Sequence, residues 1–227
     1  MGILVSEVRI ENFRSIEILE LSLSTTNVLI GANNCGKSNF LKAINIALGQ
    51  NKNISPEDIY VGKDEVLDKS KCATIDVMIR PVDDAHNIVS SFSDFWIGVF
   101  TEAWITTGDT LGDYVGIRTI LQYDALRNDY VLVRKQITDW GTSVSKATVS
   151  RKKNFTGDMN TYISAFYMDA QRDVVEDIKD RKSYFGRATS RVELPQDRIS
   201  DIETQLNNVN SQIVESIPAL NQTATRI

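Results

Sequence analysis

Alternation of apolar and polar residues predicts β-strands through the first two-thirds of the chain. A first strand covers residues 5–13, with Val8, Ile10 and Phe13 turned towards a core, and a second covers residues 16–23. Four later stretches with the same alternation predict further strands at residues 74–80, 114–123, 130–137 and 143–150. The second and third of these flank a short polar segment and therefore predict a hairpin.

Apolar residues spaced three or four apart predict two helices within this part of the chain. The first follows residue 38, where Phe40, Leu41, Ile44, Ala47 and Leu48 share one helical face. Gly49 follows directly and is a typical C-terminal cap. The second helix lies between residues 83 and 105 and would pack on the sheet.

A seam of apolar residues beyond Pro195 predicts a separate helical segment. Ile199, Ile202, Leu206, Val209 and Ile213 are separated by three, four, three and four positions. That spacing is the seam of a heptad repeat. We predict a main lobe over residues 1–195 and a helical arm over residues 196–227, which either lies on its own domain or begins a dimerisation segment.

A phosphate-loop motif lies between the second strand and the first helix. The residues Gly31-Ala32-Asn33-Asn34-Cys35-Gly36-Lys37-Ser38 fit the pattern G-x-x-x-x-G-K-[ST]. The apolar run Val28, Leu29 and Ile30 precedes the motif and predicts a buried strand. A chance match of so short a pattern is the alternative, but strand, loop and helix follow one another in the order that the motif requires.

The residue types in this loop suit the binding of a polyphosphate. Gly31 and Gly36 lack a Cβ and let backbone amides approach phosphate oxygens, and the following helix adds the partial positive charge of its N-terminus. Lys37 would reach the β- and γ-phosphates, and the Ser38 hydroxyl would bind Mg²⁺. Asparagine tolerates left-handed backbone conformations at the tip of such a loop. The candidate nucleotide-binding residues are Gly31, Ala32, Asn33, Asn34, Cys35, Gly36, Lys37 and Ser38.

Composition narrows the class of protein. Hydrophobic residues make up 42 % of the 227 residues and charged residues 24 %, which is ordinary for a soluble globular protein. No apolar run approaches the roughly 20 residues that cross a bilayer, and the N-terminus lacks the layout of a signal peptide. The only cysteines, Cys35 and Cys72, favour a reducing cytoplasm over a disulfide framework.

Charge and histidine content argue against a nucleic-acid-coating protein and against a histidine-based metal site. A net charge of −5 argues against a protein that coats nucleic acid, although Arg151, Lys152 and Lys153 form a local basic cluster. A solvated turn is the more frequent explanation of three such charges, and contact with DNA phosphates is the alternative. His86 is the only histidine, and one histidine without further ligands makes a poor metal site.

Residues 8–48 carry a family resemblance. The segment Ile10-Glu11-Asn12-Phe13-Arg14-Ser15-Ile16, followed by a second strand and then G-x-N-x-x-G-K-S-N-F-L-x-A, resembles the N-terminus of ABC-type ATPases of the RecF, Rad50 and SMC group. Within that group it is most similar to OLD (overcoming lysogenization defect) family ATP-dependent endonucleases, including related anti-phage ATPases. The resemblance implies an α/β P-loop lobe with a mixed sheet and flanking antiparallel strands. It also implies ATP and Mg²⁺ as cofactors, a homodimer or higher homo-oligomer formed through the lobe, an attached nuclease domain or partner protein, and DNA as a further partner.

The same resemblance implies roles for residues outside the loop. Arg14 and Ser15 would lie near the nucleotide, although a solvated turn explains Arg14 equally well, and Asn39 would begin the helix beside the phosphates. In ABC-type ATPases a glutamine at the end of a later strand contacts Mg²⁺ and the attacking water. Gln171 is our candidate by its order in the chain, and Gln136 is its rival.

Three motifs of the resembled families are absent from the sequence. No run of four apolar residues precedes Asp-Glu, no Ser-Gly-Gly signature loop occurs, and no carboxylate cluster matches the Toprim nuclease pattern. We therefore expect an N-terminal lobe of a longer protein, which binds nucleotide through Lys37 and Ser38 but hydrolyses it poorly by itself. Two functions fit: an OLD-like ATPase lobe that controls a nuclease, or a RecF- or SMC-like nucleotide-gated module that acts without cutting. A GTPase or kinase is disfavoured by the two strands that precede the loop.

Overall fold

The computed structural model describes residues 2–33, 35–49 and 54–154, together with residues 159, 162, 163, 165 and 204. The chain divides into two compact units, Met1–Tyr167 and Met168–Ile227, and all the described residues except Thr204 belong to the first unit. Gln171, the helical arm over residues 196–227 and the predicted boundary at residue 195 lie outside the described residues. They stay predictions.

The described residues form seven strands and two helices. The strands are β1 (Gly2–Phe13), β2 (Ile16–Ser22), β3 (Ala73–Val82), β4 (Thr106–Gly108), β5 (Gly112–Asp124), β6 (Asp129–Asp139) and β7 (Thr148–Asn154). The helices are α1 (Lys37–Leu48) and α2 (Asp94–Phe100), with 3₁₀ turns at Pro56–Asp58 and Val144–Lys146. Neither described helix has the length and apolar character needed to span a membrane. Five of the six strands predicted by alternation are confirmed, with bounds that differ by up to three residues. The sixth prediction, at residues 143–150, is wrong over its first half, where a 3₁₀ turn precedes the start of β7 at Thr148.

The described strands build one antiparallel sheet in the order β2-β1-β3-β5-β6-β7, with β4 added beside β5. Strands β5 and β6 form the predicted hairpin, and Asn128 in its loop has a φ of 51°. Asparagine is one of the few residues that adopts this left-handed conformation readily. The mixed sheet implied by the family resemblance is not seen in this part of the chain, where each strand pairs antiparallel with its neighbours.

One face of the sheet forms the main core with α1. Alternation places Val8 and Ile10 of β1 on this face, and both are fully buried. The same core contains the fully buried side chains of Ile75, Val77, Ile79, Val115, Ile117 and Leu121 from β3 and β5. Helix α1 contributes Phe40, Ala43, Ile46, Ala47 and Leu48. The predicted apolar face of this helix is therefore confirmed, with Leu41 left 42 % exposed at its margin.

The opposite face of the sheet holds a smaller apolar cluster of Met78, Tyr114, Ile137 and Trp140, together with ionic contacts. Arg118 of β5 donates two hydrogen bonds to Asp76 of β3, at 2.7 Å and 2.6 Å, and a third to the carbonyl of Val144. Arg9 of β1 donates to the carbonyl of Trp140 at 2.8 Å and lies over its ring. Burial raises the pKa of Asp76, and the Arg118 guanidinium beside it opposes that rise. These contacts fasten the segment that follows β6 to the sheet.

The predicted buried strand at Val28, Leu29 and Ile30 is wrong for the described part of the chain. These residues are not in a strand, and Val28 and Ile30 are 77 % and 91 % exposed. Leu29 alone packs against the core. An apolar run becomes a buried strand only where neighbouring strands pair with it, and no described strand pairs with this one.

The predicted helix between residues 83 and 105 is much shorter than expected. Only Asp94–Phe100 is helical, and Val99 and Phe100 are its buried residues. The residues before it are held by turns, since Asp83 accepts hydrogen bonds from the amides of Ala85 and Asn87. Side-chain acceptors of this kind compete with helix formation. His86, in the same turn, is exposed.

We predict that Asp76→Ala lowers the free energy of unfolding by roughly 3–5 kcal/mol, because it leaves the Arg118 guanidinium buried without its carboxylate. Urea unfolding followed by circular dichroism measures the change. Glu65→Ala is the control, since it removes a surface ion pair with Lys71 and should leave the unfolding midpoint nearly unchanged. Equal effects of the two substitutions would contradict the assignment of the Asp76 pair to the stabilising interior.

Candidate functional site

The loop at residues 31–38 joins an extended segment to the first turn of α1. Gly36 is the N-cap of the helix, and its φ of 93° lies in the left-handed region that favours glycine. Gly31 packs closely on Cys35, whose Sγ would lie 2.6 Å from a Cβ at position 31. A side chain is therefore disfavoured at both glycines of the motif: by the left-handed backbone conformation at Gly36, and by close packing against Cys35 at Gly31.

The first turn of α1 presents backbone amides to a ligand. No described side chain caps this turn, and it contains no acidic residue. The first helical hydrogen bond runs from the amide of Phe40 to the carbonyl of Gly36, at 2.9 Å. Amides before Phe40 have no partner within the helix, as at any helix N-terminus. An anion is the natural partner for such amides because the helix dipole is positive at this end.

The side chain of Lys37 lies across the loop. Its Nζ donates to the carbonyls of Gly31 and Ala32, at 2.8 Å and 2.7 Å, and lies 3.6 Å from Sγ of Cys35. These contacts fix a full positive charge within the loop, beside the positive end of the helix. The structure therefore combines amide donors and an ammonium group at one place.

The other loop residues lie around this centre. Ser38 follows Lys37 in the first turn of α1 and is exposed, as are Ala32, Asn33 and Cys35. Asn34 lies outside the described residues, so its predicted role at the loop tip stays a prediction. The described residues contain no group of three or more His, Cys, Asp or Glu side chains that could hold a metal ion. Among the described residues, Ser38 is the metal ligand that the loop motif predicts.

The turn between β1 and β2 lies against the start of α1. Asn39 donates from Nδ2 to Oγ of Ser15, at 2.7 Å. The same Oγ lies 3.4 Å from the position that a Cβ on Gly36 would occupy. The turn predicted to lie near the nucleotide is therefore in contact with the helix that carries the loop.

Arg14, in the same turn, is held by an ion pair. Its Nε and Nη2 lie 2.7 Å and 2.6 Å from Oδ1 of Asp58, whose side chain is 4 % exposed. The amide of Arg14 also donates to the carbonyl of Asp58, at 3.0 Å. The alternative of a freely solvated turn residue is therefore wrong for Arg14. Its contact with a nucleotide stays a prediction.

The backbone of this turn adopts an unusual conformation. Asn12 and Arg14 have φ values of 56° and 50°, in the left-handed region that side chains rarely adopt. Asparagine tolerates this conformation, whereas for Arg14 it costs about 1–3 kcal/mol and persists because surrounding contacts fix it. Here the contacts come from one short segment: Asp58 binds Arg14, and the amide of Tyr60 donates to the carbonyl of Asn12 at 2.9 Å. Strain of this kind is concentrated at functional sites.

Comparison with known families identifies the class of protein to which the chain belongs. A family model described as an AAA ATPase domain matches residues 4–225, which is almost the whole chain. The chain belongs to the AAA ATPase domain family. No match was found among curated proteins. Membership of the AAA ATPase domain family confirms the predicted class of ATP-binding protein, and it leaves open which subgroup the chain resembles most.

Of the two glutamines considered for contact with Mg²⁺ and water in this AAA ATPase domain, the structure describes only Gln136. Gln171 lies outside the described residues, so its assignment stays a prediction. Gln136 is 2 % exposed on β6, and its Nε2 donates to the carbonyl of Ala103 at 3.0 Å. Its side chain is closed off from solvent, which makes it the weaker candidate for contact with a metal ion or water.

Asp58 is a residue of the AAA ATPase domain that sequence reasoning did not connect with the site. Ser55 and Asp58 form a capping box around the 3₁₀ turn, with Pro56 at its first position. Those residues begin the 3₁₀ turn at Pro56–Asp58. They carry no signal for the ion pair with Arg14, because the two partners lie 44 positions apart in the chain.

Arg134 is the second residue that was missed. It lies on β6, is 7 % exposed, and donates from Nη2 to the carbonyls of Ile46 and Gly49 at 2.7 Å and 2.8 Å. Burial lowers the pKa of its guanidinium because desolvation disfavours the charged form. The sequence does place a charged residue at an inward position of the strand, and such a residue needs a buried partner. This pattern could have indicated that Arg134 holds another element.

Gly36→Ala should destabilise the AAA ATPase domain by roughly 1–2 kcal/mol, because alanine is strained at a φ of 93°. Gly98→Ala is the matched control: Gly98 lies in α2 with open space around its Cβ position, so alanine should be neutral or mildly stabilising. Thermal unfolding of the two variants measures the difference. Equal shifts in midpoint would show that the left-handed conformation of Gly36 carries no cost.

Asp58→Asn should lower the free energy of unfolding by roughly 1.5–3 kcal/mol, the range for hydrogen bonds to charged groups, because it removes the charge that holds Arg14. Glu57→Gln changes the same charge at the adjacent exposed position and should have little effect. Hydrogen exchange of the turn at residues 12–15 is the second measurement, and it should accelerate only in the Asp58 variant. Unchanged exchange would contradict a holding role for Asp58.

Proposed function

We propose that the chain binds magnesium-bound ATP through the loop at residues 31–38 and serves as the ATPase lobe of an OLD-like protein. One observation carries the nucleotide-binding part of this proposal. Uncapped amides of α1 and the ammonium of Lys37 converge at the same end of the helix. Membership of the AAA ATPase domain family supports ATP as the ligand.

Each loop residue has a role in this proposal. The amides of residues 36–38 would donate to oxygens of the β- and γ-phosphates, and Lys37 would neutralise part of their charge. Because two carbonyls already hold the ammonium at the loop, little side-chain freedom is lost when phosphate binds. The hydroxyl of Ser38 would bind Mg²⁺, whose chemical contribution is to neutralise charge that develops on the phosphates.

Arg14 would supply a further positive group from the β1–β2 turn. Contact between Ser15 and Asn39 places that turn against α1. A guanidinium has five N–H donors, and the ion pair with Asp58 engages Nε and Nη2. The remaining N–H donors of Arg14 would then bind a phosphate oxygen. Asp58 would then orient Arg14 rather than compete with the nucleotide for it.

Coupling to a nuclease rests on the resemblance of residues 8–48 to OLD-family proteins. In that role the nucleotide state would control cleavage of DNA by an attached nuclease, with anti-phage defence as one biological use. The alternative is a RecF- or SMC-like module that changes conformation with nucleotide and does not cut. The gene sequence after the codon for Ile227 discriminates between them: acidic metal-binding clusters would favour the nuclease, and a helical arm with a closing ATPase lobe would favour the alternative.

Association through the lobe is part of the same proposal. Val28 and Ile30 expose apolar side chains directly before the loop, at 77 % and 91 % exposure. Exposed apolar side chains beside a functional loop support the packing of further protein at this edge. A homodimer formed around ATP is the association that we propose, with DNA as a further partner.

Isothermal titration calorimetry with magnesium and ATP tests nucleotide binding by the 227-residue chain. Lys37→Ala should abolish measurable binding, since it removes the only described ammonium that lies across the loop. Lys42→Ala is the matched control, because Lys42 lies on the same helix and carries the same charge one turn further from the loop. Both variants should remain folded by circular dichroism.

The possible outcomes of this titration lead to different conclusions. Absence of heat with any purine triphosphate for the wild-type protein would overturn the proposed function. Equal loss in the Lys37 and Lys42 variants would show that general positive charge, rather than the loop, attracts the nucleotide. Turnover measured alongside should be slow for this chain, because a catalytic carboxylate motif was not found in its sequence.

A further inference from the structure

We propose that Arg134 is a positioning residue for the nucleotide site, because it fixes the axial position of the helix whose first turn would bind phosphate. The inference rests on the proposed function, since it concerns the affinity of the same loop. Arg134 itself is at the other end of α1 from the loop, where it contacts the last turn. Its effect on a nucleotide would therefore act through the helix.

The contact at the end of α1 satisfies groups that the helix itself cannot. The last four carbonyls of a helix have no intrahelical donor, and this end carries partial negative charge. The last turn of α1 contains no basic residue of its own. Arg134 supplies both missing elements from β6: its Nη2 donates to Ile46 and Gly49, and its guanidinium brings positive charge.

Directional contacts are needed because the apolar face of α1 does not by itself define an axial position. Phe40, Ala43, Ala47 and Leu48 bury that face against the sheet. Apolar burial is non-directional, so it fixes the distance between helix and sheet better than it resists sliding along the helix axis. Hydrogen bonds have strict distance and angle limits and therefore resist such sliding.

Polar contacts from two different strand regions hold the two ends of α1. Asn39 in the first turn binds Ser15 of the β1–β2 turn, and the last turn binds Arg134 of β6. A helix of 12 residues spans about 18 Å and moves as a rigid rod over that length. Loss of the contact at one end therefore shifts or loosens the other. A displacement of about 1 Å at a phosphate-binding turn is enough to weaken a site strongly.

Arg118 provides a matched control within the same sheet. It lies on β5, opposite Lys135 in the pairing with β6, and its side chain is 12 % exposed. Its hydrogen bonds go to Asp76 and to the carbonyl of Val144, on the face of the sheet away from α1. Removal of either arginine disturbs a buried ionic contact, but only Arg134 contacts the loop-bearing helix.

The experiment titrates magnesium and ATP into the 227-residue wild-type protein, R134M, R118M and K37A. We expect R134M to raise the Kd roughly five- to thirtyfold, the factor that corresponds to about 1–2 kcal/mol. R118M should leave the Kd within about twofold of the wild-type value, although both variants should unfold at lower urea concentration. R134K should give a Kd between those of wild type and R134M, because an ammonium group still donates hydrogen bonds but reaches less far.

The results distinguish this inference from the proposed function. Failure of the wild-type protein to bind, or wild-type binding by K37A, would overturn the proposed function itself. Wild-type binding by a folded R134M, in a series where K37A does not bind, would overturn only the role of Arg134. An equal rise in Kd for R118M would also overturn it, because the effect would then reflect general loosening. If R134M does not fold, R134K carries the test, and an unchanged Kd overturns the inference.

Discussion

Hydrogen bonds at the two ends of α1 determine where the candidate site lies. Ser15 binds the first turn through Asn39, and Arg134 binds the carbonyls of the last turn. Because Gly36 and Lys37 form the start of this helix, their amides and the ammonium of Lys37 have fixed positions only while the helix is held. The loop motif thus provides the groups that would bind phosphate, and contacts with the sheet hold those groups in position.

The two faces of the sheet are stabilised by different contacts. One face buries apolar side chains against α1, and the other joins strands and the segment after β6 through buried ionic contacts such as Arg118 with Asp76. Arg134 is the exception on the apolar side, where an unpaired charge would be costly. The carbonyls at the end of α1 make its burial possible, so the helix and this arginine depend on each other.

Local patterns predicted most of this arrangement, and long-range contacts account for what they missed. The strands, the β5–β6 hairpin, α1 with its cap at Gly49, and the loop were readable because alternation, helical spacing and glycine placement act within a few residues. The apolar run at residues 28–30 gave a wrong prediction of a buried strand. Such a strand needs neighbouring strands to pair with, and a short apolar segment carries no information about them. Asp58 and Arg134 are distant in the chain from the residues they hold, so no local spacing identifies those partners, although a charge at the inward strand position of Arg134 indicates that this residue needs a buried partner.

The order of the strands has a consequence for how the domain folds. β5 and β6 are joined by a short loop, whereas β1 and β3 pair directly across an intervening segment that contains β2 and α1. Closing that long segment costs chain entropy, and contacts distant in sequence generally form slowly. Helix α1 has no complete surface to pack on until β1, β3, β5 and β6 are assembled. We therefore expect the phosphate loop to acquire its shape only after these described strands have paired.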